Sequence, residues 1–428
     1  MQKVKGTALV WFRNDLRITN QQSLSNAIAN HENIIGIFHF PIHWFKTTEW
    51  GFKKMEHFRA SFLIQTLTQL KIDLEKINIS LWITVGKWEK CLKFLIDKHN
   101  ITDIYAQKEW TQEEIVDNSY IPENIKKHWV YDQFLFHPDD IPFEQNSLPN
   151  VFTVFRKICE KNVEIRKPLL PLSAMPKENL LNYVPPIPTL EDLGYEKIFW
   201  DNRTAIPFKG GEQEGLSRLD EYFWKTKQLS NYKKTRNGLI GKNYSSKFSI
   251  WLALGSLSPI TIYHEVKKYE KNVTKNNSTY WLIFELIWRD YFKYISMKYG
   301  NSIFKIGGIL EKDYSWNNDA KLVEMWINGK TNEPFINANM IELFTTGFMS
   351  NRGRQNVANF FTKEWNLDWR IGASYFESML IDYDVHSNYG NWMYNSGVGN
   401  DPRDRKFNIK FQSERYDPLK KYEKLWTQ

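Results

Sequence analysis

The sequence predicts an α/β N-terminal, Rossmann-like domain with a five-stranded parallel sheet, followed by an all-α C-terminal domain. Three observations predict it. Short β-branched or aromatic runs alternate with helical-period segments through the first third of the 428-residue chain. Nine of the 16 prolines fall between Pro138 and Pro188. From about residue 212 onward the apolar spacing is almost wholly helical. At about 150 residues per domain, the length suits two or three units, and the reading divides the chain into 1–137, a Pro-rich connector at 138–211, and 212–428.

The strand-like runs are 8–12, 34–40, 80–86, 103–107 and 128–136, and the intervening helical segments are 21–30, 53–78, 88–99 and 111–127. The loop after the first run reads Arg13-Asn14-Asp15-Leu16-Arg17, and GxGxxG occurs nowhere. The close pyrophosphate approach of a dinucleotide fold is therefore missing, which argues against a nicotinamide dehydrogenase. The phrases RKPLLPL and YVPPIPTL mark the connector. The later helices are expected at 213–228, 247–270, 278–299, 319–328, 335–347, 352–365 and 368–383.

With 42% apolar and 25% charged residues the composition is globular, and no run approaches the ~18 apolar residues of a membrane span. Two cysteines, Cys91 and Cys159, allow one disulfide at most and suit a reducing compartment. The opening MQKVKGTALVWF runs into a strand without a cleavable leader, so a cytoplasmic protein is expected, as a monomer. A net charge of +8 favours a polyanionic partner, and the 18 Trp, 21 Tyr and 28 Phe exceed ordinary globular usage, for which a large aromatic core is one explanation and a functional role the other.

Between Glu221 and Glu265 there is no acidic residue, while seven Lys or Arg fall there. A solvated basic face is one explanation. The other is a phosphate site, because Tyr244-Ser245-Ser246-Lys247-Phe248-Ser249 sets three hydroxyls and a cation at an expected helix start. Glu285 and Arg289, four apart on a nearly apolar helix with Trp281, Trp288 and Phe292, suit a cavity in which a carboxylate reads a nucleobase edge and a ring stacks on its face. Asp382 and Asp384 with the remote His386 make a poor hard-cation site, so no metal is expected. Asn351, Asn388 and Asn391 offer neutral groups for a heterocycle edge, and His386 reads as structural.

Taken together, WFRNDLR, TRNGLIG with YSSKFS, FELIWRDYF, TGFMSNRGRQ, LDWR, LIDYD and SNYGNW resemble the cryptochrome/photolyase family. RNGLIG, FMSNRGRQ and GVGNDPR are most similar to the DASH cryptochromes. The resemblance runs nearly end to end and implies an FAD-binding helical domain. It assigns Tyr232, Ser245, Ser246, Lys247, Phe248 and Ser249 to the diphosphate region. Phe348, Asn351, Arg354, Asp382, Asp384 and Asn388 would surround the flavin, with Glu285 and Arg289 beside them and Asn388 facing N5. In the family, light excites the reduced flavin, which lends an electron to a cyclobutane pyrimidine dimer and regains it after the ring splits.

The resemblance further places Trp392, Trp369 and Trp316 on an electron-transfer chain, and Glu285, Trp288, Asn351 and Arg352 at a flipped dimer, with Arg289 and Arg352 near DNA phosphates. Tyr394 stands where duplex photolyases carry a second stacking tryptophan, and Gln355 where they carry methionine. That implies a wetter pocket and a preference for single-stranded DNA, with RNA as a further candidate. The six-four branch uses paired histidines where this chain has Asn351 and Gln355, which disfavours that chemistry. Glu109, in AQKEW, falls where DASH proteins hold a 5,10-methenyltetrahydrofolate antenna. Light-driven repair is thus the leading expectation, a blue-light photoreceptor or nucleic-acid-binding regulator the alternative, and a dark flavin oxidoreductase the third.

Overall fold

The computed structural model describes residues 3–401 and 403–428. The first two residues of the opening segment and the proline of GVGNDPR lie outside them. Five parallel strands, β1 (Val4–Trp11), β2 (His31–Pro41), β3 (Ser80–Gly86), β4 (Ile101–Gln107) and β5 (Lys126–Val130), form one sheet in the order β3-β2-β1-β4-β5. The helices α1 (Gln22–Asn30), α2 (His57–Lys76), α3 (Trp88–His99) and α4 (Gln112–Ser119) make the crossovers. Alternation along β1 explains the two-sided burial. Leu9 and Trp11 pack with Ile37, Trp82 and Trp88 on one face. Ala8 and Val10 join, on the other, an apolar core that continues into the helical half. The strand order reverses between β1 and β4, so a crevice opens at their carboxyl ends.

The connector is not wholly irregular: it holds α5 (Phe152–Asn162), whose Phe152, Phe155 and Cys159 are buried. The remaining helices are α6 (Glu212–Asp220), α7 (Tyr232–Thr235), α8 (Ser249–Ala253), α9 (Pro259–Asn272), α10 (Asn277–Tyr299), α11 (Ala320–Ile327), α12 (Pro334–Thr346), α13 (Asn351–Asn359), α14 (Trp369–Met379), α15 (Val385–Ser396), α16 (Ile409–Tyr416) and α17 (Lys421–Thr427). An Asn276 capping box starts α10, the longest of them.

Several expected boundaries are corrected by local chemistry. The fifth strand ends at Val130 rather than 136, because the Asp290 carboxylate of α10 accepts the N–H groups of Leu135 and Phe136 at 2.9 and 2.7 Å and pulls that stretch out of the sheet. The helix expected over 247–270 is two helices. Gly255 breaks it with φ +67°, and a Cβ there would fall 2.0 Å from the Asn14 carbonyl oxygen, so the α/β half presses directly against this turn. Arg17 donates to the Gly255 carbonyl at 2.8 Å, and the Glu212 carboxylate accepts the Ile18 and Thr19 N–H groups, fastening the two halves together. Helices α15, α16 and α17 were not foreseen. Among the described residues, no helix is long and apolar enough to cross a membrane.

Candidate functional site

A cavity of about 690 Å³ opens in the helical half, within the 300–1,000 Å³ range typical of ligand sites. It is bordered by Tyr232, Ser245, Ser246, Lys247, Phe248, Ser249, Glu285, Trp288, Arg289, Phe348, Asn351, Arg352, Arg354, Gln355, Asp382, Asp384 and Tyr394. Asn388 and Trp392 border an adjoining cavity of about 90 Å³ that shares Asn351, Arg354, Gln355, Asp382 and Asp384 with the first.

Ser245 to Phe248 precede α8, which starts only at Ser249 and spans five residues, so the expected helix-start donors are in fact a loop. The anion-binding character rests instead on Lys247. Its backbone is left-handed (φ +65°) and its side chain is buried. Its Nζ lies over the Tyr244 ring at 3.0 Å and the Phe348 ring at 4.9 Å, without a hydrogen-bond partner. Burial pushes this ammonium well below its usual value, with Glu342 opposing. A buried, unpaired cation beside three serines, at the edge of a cavity this size, fits the diphosphate of a dinucleotide cofactor such as FAD.

Two ion pairs, each with a buried member, border the same cavity. Arg354 holds both oxygens of Asp382 at 2.8 and 3.0 Å. Asp384 pairs with Lys293 at 2.9 Å and caps α15 through the Ser387 N–H. Burial alone would raise Asp384, but Lys293, His386, Arg289 and the Ser387 bond together hold it well below the carboxylate range. Each carboxylate therefore has a cation of its own. Asn388 donates its amide to the Ala373 carbonyl at 3.0 Å, leaving Oδ1 as a neutral acceptor toward the small cavity.

At the wider end, Glu285 and Arg289 do not pair as their spacing suggests. Glu285 bonds Arg236 at 2.8 Å, whereas Arg289 turns inward and donates to the carbonyls of Gln133 and Leu252. Arg289 thus spends its charge on the chain's own backbone rather than at an outer phosphate. Burial raises the Glu285 carboxyl despite Arg236. One face of Trp288 is covered by Phe152 of the connector, at 3.6 Å and 11° between planes, and Tyr394 meets it edge-on at 6.1 Å. Arg352 donates to Asn237 and lies over the Tyr416 ring at 4.6 Å, while its Nε is buried without a partner. Arg236 and Phe152 escaped sequence reasoning. The first was one of many cations in its block, and the second lies in a connector without period.

Trp392 and Trp369 are buried and Trp316 is half-buried. Helix α14 links the first two: Trp369 opens it, and a Cβ on Gly372 would fall 2.2 Å from the Trp392 ring. Asn317, next to Trp316, accepts the N–H of Asp368, next to Trp369.

A third cavity, of about 380 Å³, lies at the sheet's switch-point crevice, between the halves. Trp11, Arg13 and Glu109 border it from the α/β side, and Lys293, Asp384 and His386 from the helical side. Glu109 is buried, accepts from Gln107 at 2.6 Å, and is pushed up to about 7 by burial, with Lys293 opposing. His386 stacks on Trp110 and shares a hydrogen bond with Ser296, the structural role expected of it.

A family model described as DNA photolyase matches residues 8–177, and one described as FAD binding domain of DNA photolyase matches residues 281–428. The chain is 44% identical over 435 residues to the Synechocystis sp. protein named Cryptochrome DASH, covering 100% of this chain and 88% of that one. It is 43% identical over 437 residues to the Arabidopsis thaliana protein named Cryptochrome DASH, chloroplastic/mitochondrial, covering 100% and 76%. The crystal structure of Synechocystis sp. PCC6803 cryptochrome matches with a TM-score of 0.94 at 44% identity, over 100% of this chain and 89% of that one.

Proposed function

The chain belongs to the cryptochrome/photolyase family, with its FAD-binding domain and with cryptochrome DASH relatives, and from that membership we propose that it repairs cyclobutane pyrimidine dimers in single-stranded DNA under blue light. The observation that carries the reading is the 690 Å³ cavity itself, with an unpaired Lys247 at one end and the Glu285–Trp288–Tyr394 group at the other.

Lys247 and the serines of its loop would hold the diphosphate of FAD, and Asn388 Oδ1 would meet the ring edge. Reduced FAD, when bound and lit, supplies the electron that opens the dimer. The chain's own residues bind and orient. Glu285, held by Arg236 at 2.8 Å, accepts from a pyrimidine ring N–H, and the uncovered face of Trp288 stacks on the base. Arg352 brings a positive charge to the cavity beside the strand, and Asn351 and Gln355 supply neutral partners between. With one stacking face and an edge-on tyrosine, the pocket compensates little for unstacking a duplex, which costs a few kcal/mol; a single strand demands almost none. RNA strands share that advantage and are candidate ligands.

The interdomain cavity would seat a 5,10-methenyltetrahydrofolate antenna on Glu109. The reading carries with it a cytoplasmic monomer, and both cysteines are free thiols. Reduced protein mixed with dimer-bearing oligothymidine and lit with blue light tests the reading. Light-dependent loss of dimers from the single strand supports it, and dimers that persist under light leave the photoreceptor reading in its place.

A further inference from the structure

We propose that Tyr314 is the terminal electron donor of the series Trp392, Trp369, Trp316, and that it gives its phenolic proton to Asp404 as it is oxidised. The inference rests on the reading of those tryptophans as an electron-transfer chain and extends it by one residue to the surface.

The Tyr314 and Trp316 rings meet edge to face with centroids 5.6 Å apart and planes at 82°, so orbital contact is direct. What differs between the two rings is where a proton can go. The Trp316 Nε1–H is buried and has no acceptor among the described residues. An indole radical cation at Trp316 therefore keeps its proton and remains a strong oxidant. The Tyr314 hydroxyl donates to Asp404 Oδ2 at 2.9 Å. Lys312 donates to the same phenolic oxygen at 3.1 Å, and the Lys312 and Lys363 ammonium groups lie 5.4 and 5.2 Å from the ring centroid. Two nearby cations disfavour a positively charged phenol, so electron loss and proton loss occur together, and the Lys312 bond then settles on the unprotonated oxygen.

The step balances. The one-electron oxidant is the Trp316 radical cation, generated when photoexcited oxidised flavin draws an electron through the chain. One electron passes from Tyr314 to Trp316, the Tyr314 O–H bond breaks, and the proton moves to Asp404. The products are neutral tryptophan, a neutral tyrosyl radical and a protonated Asp404. Lys363, paired with the other Asp404 oxygen, lowers that carboxyl, yet an oxidised phenol is so strong an acid that the transfer still runs downhill. Asp404 is exposed enough to pass the proton on to solvent.

Transient absorption and electron paramagnetic resonance of the flash-lit holoprotein with oxidised flavin test this, alongside flash-quench oxidation by an external ruthenium photo-oxidant, which bypasses the flavin. The expected result is a tryptophanyl signal that converts to a neutral tyrosyl radical, more slowly in D2O. Tyr314→Phe abolishes the tyrosyl signal and prolongs the tryptophanyl one, while Asp404→Asn slows the conversion and weakens its isotope effect. A wild-type signal that stays tryptophanyl, or a tyrosyl radical that survives in Tyr314→Phe, overturns the proposal. Conversion with the external oxidant but not with flavin light keeps Tyr314 as donor and removes the tryptophan chain from the reading above.

Discussion

The Nζ of Lys247 lies 3.0 Å from the centroid of the Tyr244 ring and donates to nothing among the described residues. A buried ammonium in that state holds its proton less tightly than an exposed lysine, and an anionic ligand tightens that hold. FAD binding is therefore expected to take up a proton, and affinity to fall as pH rises above the depressed lysine pKa of the apoprotein. Lys247→Met should weaken FAD binding about tenfold to a hundredfold, since a hydrogen bond to a charged group contributes roughly 1.5–3 kcal/mol. It should also flatten the pH dependence and raise the melting temperature of the apoprotein. Titration calorimetry in two buffers and a thermal melt read all three; a variant that binds FAD like the parent removes Lys247 from the diphosphate site.

Glu285 hydrogen-bonds the lesion in the reading proposed here, so the outcome depends on what replaces it. Glu285→Gln keeps a hydrogen-bonding oxygen at the same reach and should retain most of the repair yield. Glu285→Ala leaves Arg236 without its 2.8 Å partner and the lesion without that contact, and should cut the yield about tenfold or more with FAD still bound. Dimer loss per absorbed photon in oligothymidine measures the difference, and equal yields for all three proteins place Glu285 outside the chemistry.

The Trp392 ring packs against Gly372, three residues on from Trp369 in α14. Trp392→Phe should block light-driven reduction of oxidised flavin and spare repair by chemically reduced protein. Gly372→Ala should push the indole aside, at a cost of about 1–3 kcal/mol in stability. Photoreduction of Trp392→Phe at the parental rate, followed by flavin absorbance, contradicts the chain.

Burial raises Glu109 from its ordinary 4.5 to about 7. A carboxyl whose folded pKa is raised contributes stability below the unfolded value, and that contribution is lost as pH rises through the folded one. Antenna-free protein should therefore lose stability on this account between about pH 4.5 and 7. Glu109→Gln should gain on the parent over that window, by no more than about 3 kcal/mol at pH 8. Denaturation curves at pH 5 and about pH 8 suffice, and a gap that does not change with pH points to another state of Glu109.

The parallel sheet was legible because its strands announce themselves locally: a strand such as β1, buried from Ala8 to Trp11, needs apolar residues whatever surrounds it. Helix α15 was not legible, since Asn, Ser, Gly and Tyr dominate it and its start depends on Asp384, a carboxylate spoken for by distant Lys293. For the same reason the i,i+4 spacing of Glu285 and Arg289 says nothing of their partners, which tertiary contacts set: Arg236 for Glu285 and two carbonyls for Arg289. Residues that define the large cavity were recognisable by motif. Those that brace it from outside, Phe152 behind Trp288 and Tyr422 on Glu342, were not, because bracing demands only shape and one hydrogen bond.

Asp384 and Ala253 border both the interdomain cavity and the large one. The two cavities share these residues as a common border, which carries an ion pair that solvent scarcely reaches. Chromophores seated on its two sides would keep a constant spacing and mutual angle through thermal fluctuation, because the Lys293–Asp384 pair ties helix α10 to the start of α15 between them. Excitation handed across by dipole coupling, which falls off steeply with separation, would then be as reproducible as the masonry between the chambers, and indifferent to whatever nucleic acid rests at the far mouth.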